Sequence, residues 1–331
     1  MPEKAKVIPL CLIGGAGRSG TTVHKRIFAR HPDCTRVPEY RFSIDPDGLV
    51  DFYLSLQTIW SPYYYDLKVK RLKRVLTSIG GNSLFLRAFT HYMRKFKVER
   101  LLPFHAVPAY SGIGFSRCSP RYGQLVDELI ADLVEFEYPG QWNGTSFGER
   151  PQMYFASPEI RKELAAKLGQ FWSAVIEDVC RYQKASFFVE DNTWNILWFD
   201  SILKLMPNAR LVHVLRDPRD VVASYLRMRW SPNEVDKAAK WFKGIMNRWF
   251  EVRKQVPKDS FLEVRLHDLV QDPRKTLGEV TDFWGIPWSD RLLEENLGKS
   301  HTGRWKKDFD KRQQGVLNDI LGEQIEQLGY E

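Results

Sequence analysis

Residues 7–22 read VIPLCLIGGAGRSGTT, an apolar run, a glycine-rich turn and two threonines. Val7–Ile13 fits a short buried strand and Gly14–Gly20 a turn. Thr21–Arg30 fits a helix that His31-Pro32 ends, because the residue before a proline is pushed out of the helical region. A glycine loop between strand and helix leaves backbone N–H groups free to face an anion, and the helix dipole adds positive potential. Gly15, Gly17 and Gly20 let backbone approach a ligand without Cβ in the way. Nucleoside-triphosphate loops of the form GxxxxGK[ST] carry a lysine after the last glycine. Here that place holds Thr21, followed by Thr22, and the cation is Arg18, inside the loop beside Ala16 and Ser19. A Mg²⁺-triphosphate would lose its usual clamp. A shorter anion, held by backbone donors, two hydroxyls and one guanidinium, fits better.

Outward from this unit, strand and helix patterns keep alternating. Ser186–Glu190 and Arg210–Leu215 read as strands, each followed by a helix, Trp194–Met206 and Pro218–Met228. Phe261–Leu266 is one more strand. Buried β-rich runs alternating with helices predict an α/β fold with a P-loop-like central parallel sheet flanked by helices. Ser157-Pro158 and Ser231-Pro232 read as helix starts, running to about Gln183 and Val256. Asp310–Leu328 is a further expected helix. Residues 42–150 are rich in Tyr, Phe and basic residues. They are read as a largely helical insertion after the first strand–helix unit, within a single domain covering residues 1–331.

Leu211–Tyr225, LVHVLRDPRDVVASY, places Arg216 at the C-terminal end of a strand, where open α/β sheets bind ligands. Ser224 follows about two helical turns on, near the same face. Pairing of Arg216 with Asp217 or Asp220 is the structural alternative for this stretch.

Composition narrows the classes. A 43% hydrophobic content excludes a disordered chain, and a net charge of +8 points to anionic partners. The densest basic string is Lys68–Arg74, KVKRLKR. Four scattered cysteines without CxxC spacing read as free thiols in a reducing compartment, and no zinc-ligand spacing occurs. Lys4, Lys6 and the following apolar stretch superficially resemble a secretory leader. That stretch, about seven residues, is at the lower limit for one, and cleavage there would destroy the glycine motif. No apolar run reaches membrane-spanning length. A cytoplasmic location is expected.

Together, GAGRSGTT and LVHVLRDPRDVVASY resemble the sulfotransferases that use 3′-phosphoadenosine 5′-phosphosulfate (PAPS). The arginine inside the loop is similar to the RSGTT branches, bacterial and tyrosylprotein or carbohydrate enzymes among them. His31-Pro32-Asp33 with Pro38-Glu39-Tyr40-Arg41, Met206–Arg210 and the closing Gly303-Arg304-Trp305-Lys306 extend the likeness along the chain. The resemblance implies that Gly15–Thr22 cradles the 5′-phosphosulfate and that Arg216 and Ser224 hold the 3′-phosphate. It implies Glu39 as the base that takes the acceptor proton. Arg18 is expected to stabilise the leaving group, with Arg304 and Trp305 also at the cofactor, Trp305 as a stacking surface for adenine. His24, His91 and His105 are rival bases. No metal is implied, no nucleic acid and no membrane span.

Two departures stand out. Where relatives carry a lysine ahead of the second motif, this chain has Val189–Asn195, VEDNTWN. Either Asn192 or Thr193 then donates a neutral hydrogen bond, or a basic residue arrives from elsewhere. Leu266 replaces the family's aromatic adenine contact. The acceptor is read as a hydroxyl on a carbohydrate, lipid or other small molecule, and Tyr63–Lys97 as either its cover, a peripheral membrane contact or a solvated face. Two further readings stay open: a P-loop kinase or NTPase, and a nucleotide-binding protein of this fold without transfer activity.

Overall fold

The computed structural model describes residues 8–81, 92, 113–142, 151–297 and 302–330. His91 and His105 lie outside the described residues. Six strands occur among them: β1 (Leu10–Gly15), β2 (Phe136–Pro139), β3 (Gln152–Phe155), β4 (Phe188–Asp191), β5 (Arg210–Leu215) and β6 (Phe261–Arg265). The chain divides into two compact units. The first takes Met1–Cys34, Ser186–Leu203 and Asn208–Glu331, and the second Thr35–Ala185 with Lys204–Pro207.

The first unit is built on a four-stranded sheet of order β4-β1-β5-β6, parallel throughout, with Ile13 opposite both Asp191 and Val212. Every residue of β1 is buried, as expected for a central strand covered on both faces. β1 starts at Leu10 and not at Val7. Pro9 has no N–H to give to a ladder, and only its carbonyl takes part, accepting from the Phe188 N–H at 3.2 Å. Ile27 and Phe28 from the helix Thr21–Phe28 meet Leu277, Val280 and Trp284 from Pro273–Trp284 in one apolar core with Val212 and Val214. Phe28 and Trp284 pack edge to face, centroids 4.7 Å apart.

The second unit packs the helices Leu49–Thr58, Pro62–Gly80, Tyr122–Leu133 and Leu164–Gln183 with the antiparallel hairpin β2–β3. Its core is aromatic: Tyr40, Phe42, Phe115, Tyr122 and Trp172 are essentially unexposed, and Trp172 Nε1 donates to Tyr40 Oη at 3.2 Å.

Several boundaries differ from the expectation for physical reasons. Ser231 caps nothing. Its hydroxyl donates to the Tyr225 carbonyl at 2.7 Å, and the helix begins only at Val235, running to Gln255. After Ser157-Pro158 a 3₁₀ turn, Pro158–Lys162, precedes the helix Leu164–Gln183. Leu266 does not end a strand but opens the short helix Leu266–Gln271. Asp310 does cap its helix, in a reciprocal capping box with Gln313. Among the described residues no helix is long and apolar enough to cross a membrane.

Candidate functional site

The glycine loop lies entirely in the first unit and is tied down where it leaves β1. The Gly15 N–H donates to the Thr193 carbonyl at 3.0 Å, and the Tyr225 hydroxyl donates to the Ala16 carbonyl. Gly17 (φ 74°), Arg18 (φ 57°) and Gly20 (φ 116°) occupy the left-handed region. Glycine accepts that backbone freely, whereas Arg18 pays about 1–2 kcal/mol for it. Such strain persists only where neighbours over-determine the conformation, and the neighbours are residues of the second motif. Arg18 Nε donates to Ser224 Oγ at 3.0 Å, and Arg216 Nη1 donates to the Arg18 carbonyl at 3.1 Å. Two segments about two hundred residues apart therefore form one corner.

Within that corner Ser19 is buried, and its hydroxyl has no hydrogen-bond partner among the described residues. Gly20 precedes the helix Thr21–Phe28, which has neither a side-chain cap nor an acidic residue in its first turn. Among the described residues no side chain caps its positive end. Both features suit an anion.

Arg216 is the electrostatic centre of the corner. Burial pushes its pKa below the usual arginine value, Asp220 opposes this, and the positive charges of Arg18 and Arg304 push it down further. Arg304 reaches the corner because of Asp220, which is fully buried. Its carboxylate accepts from the Gly303 N–H at 2.8 Å and the Trp305 N–H at 2.9 Å. Burial raises the Asp220 pKa, against the pull of these two N–H groups. Asp217 caps the helix Pro218–Tyr225 and grips the Arg219 guanidinium at 3.0 and 2.9 Å. That guanidinium sits 4.1 Å over the Trp305 ring.

A cavity of about 310 Å³ opens beside the loop. Of the residues expected from sequence, Arg18, Gly20, Thr21, Thr22 and Arg216 line it; Arg26 adds a further cation, and Leu266, Val270 and Leu297 an apolar wall. Gly15, Ala16, Gly17, Ser19 and Ser224 belong to the loop and its supports. Arg304 and Trp305 are not among the lining residues, and Trp305 is buried under Arg219.

The pairing of Arg216 with Asp220, weighed from sequence as the structural alternative, is present at 4.0 Å, but the grip of Asp220 on Gly303 and Trp305 and the apolar wall were not foreseen. The four-residue spacing of Leu266 and Val270 on one helix face was available as a signal. Nothing local marks Leu297, or Asp220 as the partner of a turn more than eighty residues away.

The remaining residues fall as follows. Glu39 lies in the second unit, half-exposed, with Arg41 Nη2 at 3.0 Å from its carboxylate. His24 is fully buried, its Nδ1–H donating to the Gly20 carbonyl at 3.1 Å. Burial pushes its pKa down from 6.5 to about 4, with the Gly20 bond opposing, so it is neutral at pH 7. In the stretch without a lysine, Asn192 Oδ1 accepts from the Trp194 N–H at 3.3 Å. Asn192 Nδ2 is buried without a partner among the described residues. A cation does arrive beside this stretch: Lys25 forms an ion pair with Asp191.

This is an α/β protein with a glycine-rich, arginine-lined corner at the C-terminal edge of its sheet. The model of the sulfotransferase family matches residues 118–290, just over half of the 331-residue chain, a stretch that contains Arg216 and Ser224. The chain belongs to the sulfotransferase family. A putative protein-tyrosine sulfotransferase of Caenorhabditis elegans is 24% identical over 106 residues, 30% of this chain and 40% of that protein. The omega-hydroxy-beta-dihydromenaquinone-9 sulfotransferase Stf3 of Mycobacterium bovis is 18% identical over 212 residues, 58% of this chain and 54% of that protein. The chain thus spans only about half, or less, of the length of these curated relatives. Among solved structures, sulfotransferase STF9 from Mycobacterium avium is 11% identical and covers 99% of this chain and 78% of its own, with a TM-score of 0.47.

Proposed function

We propose that this chain transfers the sulfuryl group of PAPS to the hydroxyl of a small-molecule acceptor, acting as one sulfotransferase domain in the cytoplasm. The observation that carries the reading is the placement of Arg216 against the loop, its Nη1 on the Arg18 carbonyl at 3.1 Å and Arg18 Nε on Ser224 at 3.0 Å, so that two cations stand side by side at a helix N-terminus with no side-chain cap and no acidic residue in its first turn. Like charges crowded together are costly by themselves and favourable around a polyanion. The residues present fit an adenosine bisphosphate. The orphaned Ser19 hydroxyl and the loop N–H groups suit its 5′ end, and Arg216 and Ser224 its 3′-phosphate. The apolar wall of Leu266, Val270 and Leu297 suits a flat base. Trp305, expected from sequence as a stacking surface, is assigned instead to hold Arg219 and to carry Arg304. The absence of a disulfide among the four cysteines of the described residues supports a reducing compartment.

When bound, PAPS supplies the activated sulfuryl group. The chain's own residues do the rest. Arg18 and the loop N–H groups meet the negative charge that grows on the departing phosphate, a role worth about 3–4 kcal/mol per donor in comparable sites. Glu39 takes the acceptor proton on its carboxylate.

Calorimetry with adenosine 3′,5′-bisphosphate, with and without Mg²⁺, and with ATP–Mg²⁺ tests the reading. The bisphosphate is expected to bind independently of the metal and more tightly than ATP. Arg216→Ala should lose about 1.5–3 kcal/mol of affinity for each charge-assisted bond removed. Preference for ATP–Mg²⁺ would make the protein a P-loop kinase or NTPase instead. Glu39→Gln should keep bisphosphate affinity and lose about 10²–10⁴-fold in turnover. Full turnover in that variant would place the base elsewhere, and no turnover in the wild-type protein across an acceptor panel would leave a binding protein.

A further inference from the structure

We propose that Glu295 is a positioning residue for the nucleotide base. Its carboxylate, gripped by Arg26 and Arg30, fixes the guanidinium and the chain segment that wall the cavity away from the loop. This inference rests on the bisphosphate reading for the identity of the ligand, and it adds a residue that does not itself line the cavity.

The cavity changes character along its length. Its loop end carries Arg18, Thr21, Thr22 and Arg216; the rest of the lining includes Arg26, Leu266, Val270 and Leu297. Arg26 follows Thr22 by four residues on the helix Thr21–Phe28. It therefore lies on the same helix face, about 6 Å farther from the loop. With the phosphates at the loop, Arg26 belongs to the part of the cavity left for the base.

Arg26 is held there by Glu295. Arg26 Nε lies 3.1 Å from Glu295 Oε1, while Oε2 accepts from Arg30 Nε at 2.9 Å and stands 2.8 Å from Arg30 Nη2. Both carboxylate oxygens are engaged, and the Glu295 side chain is only 12% exposed. A lone surface ion pair holds little, but a fork-shaped pair extended into a network fixes its members in one geometry. The grip is on the Nε edge of Arg26, so it does not use the flat face of the guanidinium. Such a planar cation stacks on an aromatic ring. The same carboxylate sets the neighbouring wall: Glu295 directly precedes Asn296 and Leu297, which both line the cavity, and Leu297, like Leu266, packs against the apolar core.

Two simpler roles predict something different. If Glu295 only set the local charge, removing it would strengthen the binding of every anion, because a carboxylate opposes a bisphosphate. If it only pinned the 3₁₀ turn Asp290–Glu294 to the first helix, Glu294 would matter as much. Glu294 lies 3.7 Å from Arg30 in the same latch and is 55% exposed. A positioning role predicts weaker binding confined to a ligand that carries a base.

The test uses the full chain and two probes, adenosine 3′,5′-bisphosphate and an abasic ribose 3,5-bisphosphate, measured by calorimetry. Wild type should prefer the adenosine compound. In Glu295→Gln that preference should shrink about 5-fold, with affinity for the abasic compound equal or higher. The KM for PAPS should rise with it while kcat stays within about twofold. Arg26→Met leaves the Arg30–Glu295 pair in place and should shrink the preference by a similar factor, so the outcome does not depend on one variant folding. Glu294→Gln should keep the wild-type preference. An unchanged preference in Glu295→Gln and Arg26→Met, an equal shift for both probes, or an equal loss in Glu294→Gln would overturn the inference and leave the bisphosphate reading standing. Wild type binding both probes equally would show that this wall reads no base. Wild type binding neither would refute the bisphosphate reading and this one with it.

Discussion

In the helix Pro62–Gly80 the basic string Lys68–Arg74 looks from sequence like an anion-binding face, yet two of its lysines are spent inside the unit. Lys68 is buried between Asp51 at 2.5 Å and Asp47 at 3.4 Å, and Lys70 lies 2.8 Å from the buried Asp66. Burial alone would raise the Asp51 pKa; the Lys68 hydrogen bond and charge outweigh it and hold the carboxyl below its ordinary value. In the loop corner of the first unit the arrangement is reversed. The buried carboxylate of Asp220 accepts from the backbone of Gly303 and Trp305 and stands 4.0 Å from Arg216, while the charges of Arg18 and Arg304 act on Arg216 against it. Cationic residues alone therefore do not mark a site. What marks one is cations gathered at a glycine turn and a helix N-terminus, where Arg18 donates only to the neutral Ser224 hydroxyl while Arg216 lies 4.0 Å from Asp220 and Arg304 2.6 Å from Asp308.

The contrast can be broken most sharply at Asp220. Asp220→Ala leaves two backbone N–H groups without their charged acceptor and releases the turn that carries Arg304. Stability measured by urea unfolding should fall by about 4 kcal/mol, at roughly 2 for each bond, and bisphosphate affinity should fall with it. A change within about 0.5 kcal/mol, the ordinary surface range, would show that Asp220 does not hold the corner together.

Acid should act on the loop side next. The His24 imidazole, at the foot of the loop, titrates lower in the folded protein than its ordinary 6.5. The unfolded chain therefore binds the proton more readily. This contribution to stability is complete above about pH 6.5 and declines as pH falls towards 4, by up to about 3 kcal/mol. A thermal melting series over that window should slope for wild type and flatten for His24→Gln. Equal slopes would assign the acid sensitivity to other groups.

The smallest effect is expected in the second unit. Lys68→Met keeps the alkyl stem and removes the charge, leaving Asp47 and Asp51 partly solvated at 31% and 38% side-chain exposure. Stability should fall by about 1 kcal/mol, and bisphosphate affinity should not move. A loss of affinity would erase the distinction between the two groups of cations.

Much of the first unit is legible from the residues alone. The glycine turn after β1, the strand ending at Arg216 and the helix from Pro218 follow from backbone preferences acting within a few residues. Local rules failed where a distant partner intervened. Ser231 looks like a helix cap but bonds to the Tyr225 carbonyl, and Leu266 ends no strand because it starts a helix that lines the cavity. Trp305 looks like a stacking surface for a base and is instead buried beneath Arg219.

Sequence by itself determined that this chain has a parallel α/β core with a glycine turn between its first strand and helix. Left-handed glycines, β-rich buried runs and helix caps are dictated by sterics and hydrogen bonding over short stretches. Only the tertiary structure decided which cations gather at the glycine loop and which are buried against carboxylates in the second unit. Both depend on separations of a few ångströms between residues far apart in the chain. Electrostatic and packing energies fall off with distance in space, and distance along the sequence does not report it.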